Sequence, residues 1–218
     1  MALRLQQQIA GPGTATDLCT LYLVRHGTTT MNVENRYRGR RDIPLDAQGY
    51  QDAVDAARRL SGEGLEAVYT GPLRRTIATA QIIADEARVP DIRILHGLIN
   101  VDYGVWEGMT AREAEMYDPT AFLRYRSLPS EAVCPNGERL TDAQRRMMEA
   151  LELIAHRHGG QTVAAVTHAV MIRLAVAQLE GIDGEQWRIP LGRGSVTKFE
   201  FSGDVIRVAA LGEGDDVD

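Results

Sequence analysis

Three short apolar runs in this 218-residue chain are each followed closely by side chains able to handle an anion or a proton. Cys19 to Val24 leads into Arg25-His26-Gly27, Ala67 to Thr70 into Pro72 to Arg75, and Thr162 to Thr167 into His168. A fourth run, Ile92 to Leu95, opens a polar loop from Gly97 to Glu107. Imidazole changes protonation near neutral pH and can attack, donate or accept. Guanidinium offers forked donors that match phosphate oxygens. Two histidines and two arginines without clustered carboxylates suit phosphate better than a metal. Zinc or magnesium would need carboxylate or cysteine partners at workable spacing, and the sequence offers none. Taken singly, each residue has an ordinary reading. A histidine after a strand is commonly a satisfied polar residue, and Arg75 beside Arg74 can be a solvated helix face. Their shared placement after apolar runs points to one site.

The elements that must position these residues alternate. Cys19 to Val24, Ala67 to Thr70, Ile92 to Leu95 and Thr162 to Thr167 read as buried strands. Asp46 to Leu60 has helical spacing, with Val54, Ala57 and Leu60 on one face. Arg74 to Ala87 places Ile77, Ala80, Gln81 and Ala84 near one face. Thr110 to Glu113 is a capping box before a short helix that stops at Pro119. Thr141 to Gln144 is a second box opening a long helix with Met147, Met148, Leu151 and Ile154 inside. Leu128 to Glu138 reads as a surface excursion. His168 precedes a helix from Ala169 to Leu179, and residues 195–201 and 205–211 form a closing hairpin. Alternation of this kind predicts an open α/β sheet, mostly parallel with an antiparallel edge. Ligands in such sheets sit beyond the carboxyl ends of strands, where the basic residues fall. Helices starting there add free N–H groups and a positive dipole end.

Composition bounds the partners. The chain is 44% apolar and 25% charged, with a net charge of −6. Glu213, Asp215, Asp216 and Asp218 carry much of that charge in the last six residues. An acidic surface argues against a nucleic-acid partner. No stretch reaches the roughly 18 apolar residues of a membrane span, so no membrane partner is expected. The N-terminus lacks a secretory apolar run, and Cys19 and Cys134 read as reduced thiols of a cytoplasmic protein. The expected organisation is a flexible extension over 1–17, one domain over 18–211 with a compact insertion around 108–140, and an acidic tail over 212–218. A homodimer is the default expectation for such a domain.

Six segments in order carry a specific resemblance: Leu21 to Asn32 (LYLVRHGTTTMN), Gly39 to Leu45 with Gly49, Thr70 to Ala80, Gly104 to Gly108, Gly137-Glu138, and Val166 to Arg173. Together they resemble the histidine phosphatase superfamily, the phosphoglycerate-mutase-like fold. The insertion before His168 is compact, as in the family's phosphatase branch rather than its mutases. The resemblance implies a three-layer sheet with helices on both faces. It also implies metal-independent hydrolysis of a small phosphorylated metabolite, without a cofactor. His26 would be the nucleophile that becomes phosphohistidine. Its second ring nitrogen would donate to a backbone carbonyl. Arg25, Arg75 and His168 would hold the phosphoryl oxygens, Asn32 would add a neutral donor, and Gly27, Thr28, Arg38 and Ala169 would line the phosphate site. A phosphoglycerate-type mutase is the second alternative.

Two departures from the family pattern matter. Asn100 stands four residues before Gly104, where the family carries a glutamate that protonates the leaving oxygen and then activates water. An amide cannot exchange a proton at useful pH, and such catalysis is worth roughly 10² to 10⁴ in rate. Three readings follow: Asp102 or Glu107 replaces the acid, the substrate has a leaving group that needs no proton, or the chain is a phosphate-ester-binding or regulatory relative with residual turnover. The second departure is Thr28 in place of glutamate or glutamine, with Ala169 and Val170 where glycines are usual. Arg36, Arg38, Arg40 and Arg41 either line the mouth for a second anionic group or form a solvated loop. Tyr103, Trp106 and the aromatics from Tyr117 to Tyr125 supply either walls or core.

Overall fold

The computed structural model describes residues 18–214, so the expected extension over 1–17 and the last four residues of the acidic tail lie outside the described residues. Six strands form one sheet in the order β3-β2-β4-β1-β5-β6. They are β1 (Cys19–Arg25), β2 (Leu65–Thr70), β3 (Ile92–Ile94), β4 (Thr162–Thr167), β5 (Val196–Ser202) and β6 (Val205–Ala210). β3, β2, β4 and β1 run parallel, and β5 and β6 add the antiparallel edge as a hairpin.

Side-chain alternation along the central strands builds the three layers. Leu21 and Leu23 of β1, with Val163 and Ala165 of β4, face α6 (Leu140–Arg157) and α7 (Ala169–Glu180). Tyr22, Val24, Ala164 and Val166 face α2 (Ala47–Arg59) and α3 (Arg74–Ala87). Both faces are covered, so these strands read as unbroken apolar runs. Ala164 and Ala165 keep β4 thin, and Ala56, Ala80 and Ala84 do the same for the helices packed on it. The buried stripes are rotated slightly from the expected ones. Ala53 is buried in α2 and Val54 only partly, and in α3 Gln81 is exposed while Ile83 is buried.

Register is what assembles the site. β1 pairs with β4 so that Arg25 lies opposite Thr167, and the next residues on the two strands are His26 and His168. β2 flanks β4 on its other side, with Thr70 opposite Val166, and leads into α3.

The insertion differs from expectation in three places. The Thr110–Glu113 box is present and caps α4 (Ala111–Tyr117). α4 stops before Pro119 as expected, but Pro119 then occupies the first position of an unexpected further helix, α5 (Pro119–Ser127), where its missing N–H costs nothing. Asp118 caps that helix by accepting from Ala121 N at 3.0 Å. The second box is not used: α6 starts at Leu140 behind Arg139, because Leu140 is fully buried and donates its N–H to Ala132 O. The excursion from Leu128 to Glu138 folds back on the body, burying Ala132 and Cys134. The start of the acidic tail is also held, since Gly212 N donates to Thr197 Oγ1 and Gly192 N to Glu213 O. Among the described residues no helix is long and apolar enough to cross a membrane.

Candidate active site

His26 and His168 meet edge to face at the sheet's carboxyl edge, with ring centroids 5.0 Å apart. Both are buried. His26 Nδ1 lies 2.6 Å from Gly27 O. A carbonyl can only accept, so Nδ1 carries the proton and Nε2 keeps its lone pair. Burial holds the His26 pKa well below its ordinary value. Repulsion from Arg75, Arg38 and Arg25 pushes the same way, and the Gly27 bond opposes them. His168 caps α7 with extended backbone, and neither ring nitrogen finds a hydrogen-bond partner. Its pKa is lowered in the same way, by burial first and then by Arg75, His26, Arg38 and Arg146. Both rings are therefore neutral at pH 7.

Gly27 is needed for a reason other than a tight turn into a helix. Its backbone is not left-handed. A Cβ there would overlap the Gly49 carbonyl, and a Cβ on Gly49 would overlap Thr28 O. The first turn of α2 thus rests directly on the histidine loop. The helix that follows Gly27, α1 (Thr30–Val33), is only one turn long.

Arg75 sits in the first turn of α3, fully buried. Its Nη1 donates to Arg41 O at 2.7 Å and Nη2 to Gly39 O at 2.8 Å, while Nε has no partner. Burial and the neighbouring Arg38 lower its pKa to about 9, so it remains a cation at pH 7. Arg25 donates to Leu191 O at the end of β1. Asn32 Oδ1 accepts from Thr29 N and Thr29 Oγ1, which leaves Nδ2 buried without a partner.

A cavity of about 230 Å³ opens over the two rings. Of the residues expected from sequence, His26, His168, Asn100, Arg38 and Ala169 line it. Arg25, Arg75, Asn32 and Gly27 are not among its described lining residues. Two expected residues are not brought in. Thr28 turns toward α2, where its N and Oγ1 both donate to Asp52 Oδ2, at 2.8 and 2.5 Å. Asp102 is committed elsewhere: Oδ1 accepts from Gly104 N at 2.9 Å and Oδ2 faces Arg40 at 3.5 Å. Glu107 is committed too, accepting from Arg40 N at 2.7 Å and facing Arg41. No carboxylate is among the described residues that line the cavity. Asn100 uses both ends of its amide on backbone, donating to Gly39 O at 3.2 Å and accepting from Val101 N at 3.0 Å.

The arginine loop is not a free cationic patch. Arg36 pairs with Glu34 and Glu113, Arg40 with Asp102 and Glu138, and Arg41 with Glu107. These pairs stitch residues 36–41 to the loop over 100–113, which also exchanges backbone bonds with Tyr37. Tyr37 and Tyr103 form the aromatic wall, while Trp106 and Tyr125 belong to the core behind it.

Sequence reasoning missed Arg146 of α6. Its guanidinium grips Glu138 with Nε at 2.8 Å and Nη2 at 3.0 Å. It also donates to the carbonyls of Gly97, Ile99 and Asn100, at 2.8, 2.6 and 2.9 Å. Nothing in its helical spacing distinguishes it from a solvated charge. Among the described residues no cluster of three or more His, Cys, Asp or Glu could hold a metal.

Comparisons with known proteins identify the family and the fold. Residues 21–214 match the histidine phosphatase superfamily (branch 1). The chain is 36% identical over 163 residues to phosphoserine phosphatase 1 of Hydrogenobacter thermophilus, covering 75% of this chain and 77% of that one. It is 32% identical over 160 residues to a metal-independent phosphoserine phosphatase of Arabidopsis thaliana, covering 72% and 67%. The solved structure of YhfR from Bacillus stearothermophilus superposes with a TM-score of 0.82 at 37% identity, covering 91% of this chain and 98% of that one.

Proposed function

We propose that this chain, which belongs to the histidine phosphatase superfamily and is a metal-independent phosphoric monoester hydrolase, passes the phosphoryl group through Nε2 of His26. The observation that carries this reading is the state of that ring. Its Nδ1 donates to Gly27 O, and burial beside three arginines keeps it neutral, so Nε2 is a lone pair at the cavity wall. Phosphoryl transfer needs positioning and positive charge more than covalent help. Arg75, Arg38 and Arg25 supply the charge, the neutral His168 ring adds a hydrogen-bonding nitrogen, and the first turns of α3 and α7 aim their N–H groups at the same edge. The Nδ2 of Asn32 is a donor waiting for an oxygen. Ala169 opens α7 beside His168, so its backbone supports the same anion.

Asn100 sets the substrate's chemistry in this reading. With an amide at that position and the loop carboxylates committed to other partners, an alkoxide would leave without a proton. Aryl phosphates and acyl phosphates need none. The relatives that are phosphoserine phosphatases, and a cavity of about 230 Å³, support a small phosphorylated metabolite.

The test is a panel of phosphate esters graded by leaving-group pKa, scored for free phosphate and for isomerised product. His26→Ala should abolish release from an activated aryl phosphate, and retained activity would sink the mechanism. Asn100→Glu should speed alkyl phosphates by roughly 10²-fold and aryl phosphates by far less, in line with the worth of a proton donor. Equal gains on both would remove the leaving-group argument. Isomer without free phosphate would favour a mutase, and saturable binding with no release over hours a binding module.

A further inference from the structure

The second half-reaction raises its own question. Phospho-His26 must be discharged by some acceptor, and the structure limits which acceptors are suitable. Water or an alcohol attacks phosphorus with an oxygen that still carries a proton, and that proton must go to a base. An imidazole nitrogen or a carboxylate oxygen attacks with a lone pair and has no proton to lose. In each case one acceptor–phosphorus bond forms, the P–N bond breaks, and its electron pair returns to His26 Nε2.

The bases are accounted for. Among the described residues the cavity lining holds no carboxylate. Asp102 and Glu107 are fastened to Gly104 N and Arg40 N on the loops around it. Asn100 is an amide with both ends bonded to backbone. His168 faces His26 from β1, Arg75 from α3, Arg38 from its loop and Arg146 from α6, with no acid among them. Protonating it for the sake of an attacking water is opposed by each of those cations. Once a phosphoryl group sits on His26, the unpartnered nitrogens of His168 are placed to serve the phosphoryl oxygens instead. Beside this base-free centre, Tyr37, Tyr103 and Val170 form an apolar and aromatic flank, and Arg36 and Arg38 reach the same lining. A flat imidazole or a carboxylate fits that surface better than a bare water does.

We propose that the chain is also a phosphotransferase, passing the phosphoryl group of His26 to imidazole-type or carboxylate acceptors in preference to water and alcohols. The proposal rests on the reading of His26 as the nucleophile, and its test separates the two. The wild-type chain is charged with isotopically labelled acetyl phosphate, and label on His26 is followed. The phosphoenzyme is then discharged into buffer, imidazole, acetate or methanol.

The expected result is stoichiometric label on His26 that decays slowly in buffer. Imidazole should speed the decay at least tenfold and yield phosphoimidazole, acetate should return acetyl phosphate, and methanol should have no effect. Asn100→Asp, close in shape, should raise the rate of discharge to water and methanol relative to discharge to imidazole by roughly tenfold or more. Discharge to water as fast as to imidazole overturns the proposal while leaving the His26 reading intact. So does an equal gain in Asn100→Asp for all acceptors. Absence of label from wild-type His26, with acetyl phosphate still consumed, overturns both.

Discussion

Replacing Arg146 by methionine should unfasten the loop that carries Asn100 without touching the cavity lining. The side chain of Arg146 is 19% exposed and that of Glu138 14%, so the pair is largely removed from water. Taking one partner from a buried ion pair costs about 3 to 5 kcal/mol, mostly through the charge left behind. Glu138 would retain Arg40 Nη2 and Asp102 N, each at 3.3 Å, which argues for the lower end. The carbonyls of Gly97, Ile99 and Asn100 would lose their donor but gain access to water. We expect a loss of about 3 kcal/mol, which at this size lowers the melting temperature by roughly 6 to 12 °C. Glu138→Leu in the same background should recover part of it, because two apolar residues replace the pair without an orphaned charge. Urea unfolding of the four members of the cycle reads the coupling directly. Activity should fall in kcat more than in KM, because residues 97–100 support the reacting group rather than the substrate's far end. A loss below about 1 kcal/mol, or strict additivity in the cycle, would refute the account of Arg146 as a buried clamp.

Two further outcomes follow from the same geometry. Both site histidines are held neutral by burial and neighbouring cations, so their folded pKa values lie below the ordinary 6.5. The unfolded chain therefore binds more protons as pH drops below 6.5, and stability should decline from there until the folded values are passed. The acid limb of kcat/KM should accordingly lie below pH 6.5, since the His26 lone pair survives to lower pH. An acid limb at or above 6.5 would contradict the burial argument. Gly27→Ala should cost about 2 kcal/mol or more, because the clash is with the Gly49 carbonyl of α2 rather than with a movable side chain. A normal melting temperature with normal turnover would show that the loop can shift away from α2.

The strand ends were legible because β1, β2 and β4 are covered on both faces. Such strands appear as apolar runs, and the first polar residues after them mark the edge where ligands bind. Arg25, His26, Arg75 and His168 were found in this way. What could not be read was register. Only the pairing of Arg25 with Thr167 places the two histidines side by side, and nothing local encodes it. Side-chain direction was equally hidden. Thr28 follows the triplet, yet Asp52 of α2 claims both its N–H and its hydroxyl. Asp102 sits two residues from Asn100, yet it caps Gly104 N. Arg146 is one of many charges on an amphipathic helix, and its role depends on three carbonyls about 50 residues upstream. Two local signals point elsewhere than expected: Asp118 before Pro119 marks the start of a second helix, and the buried Leu140 starts α6 ahead of the Thr141 box.

The net charge of −6 and the cationic site belong to one arrangement. The loop arginines do not face the cavity as a patch. Arg36, Arg40 and Arg41 are neutralised by Glu34, Glu113, Asp102, Glu138 and Glu107, and in being neutralised they hold those carboxylates away from the reacting centre. Arg25, Arg75 and Arg38 act on the His26 imidazole as cations. A carboxylate at position 100 would stand inside that field and repel an incoming phosphate dianion, while giving the leaving group its proton. The amide of Asn100 removes the repulsion together with the proton. On the mechanism proposed above, an amide at this position would trade turnover of poor leaving groups for affinity toward the phosphoryl group. Asn100 and Arg75 both donate to Gly39 O, so the amide at the cavity wall is fixed by the same loop carbonyl that holds the arginine.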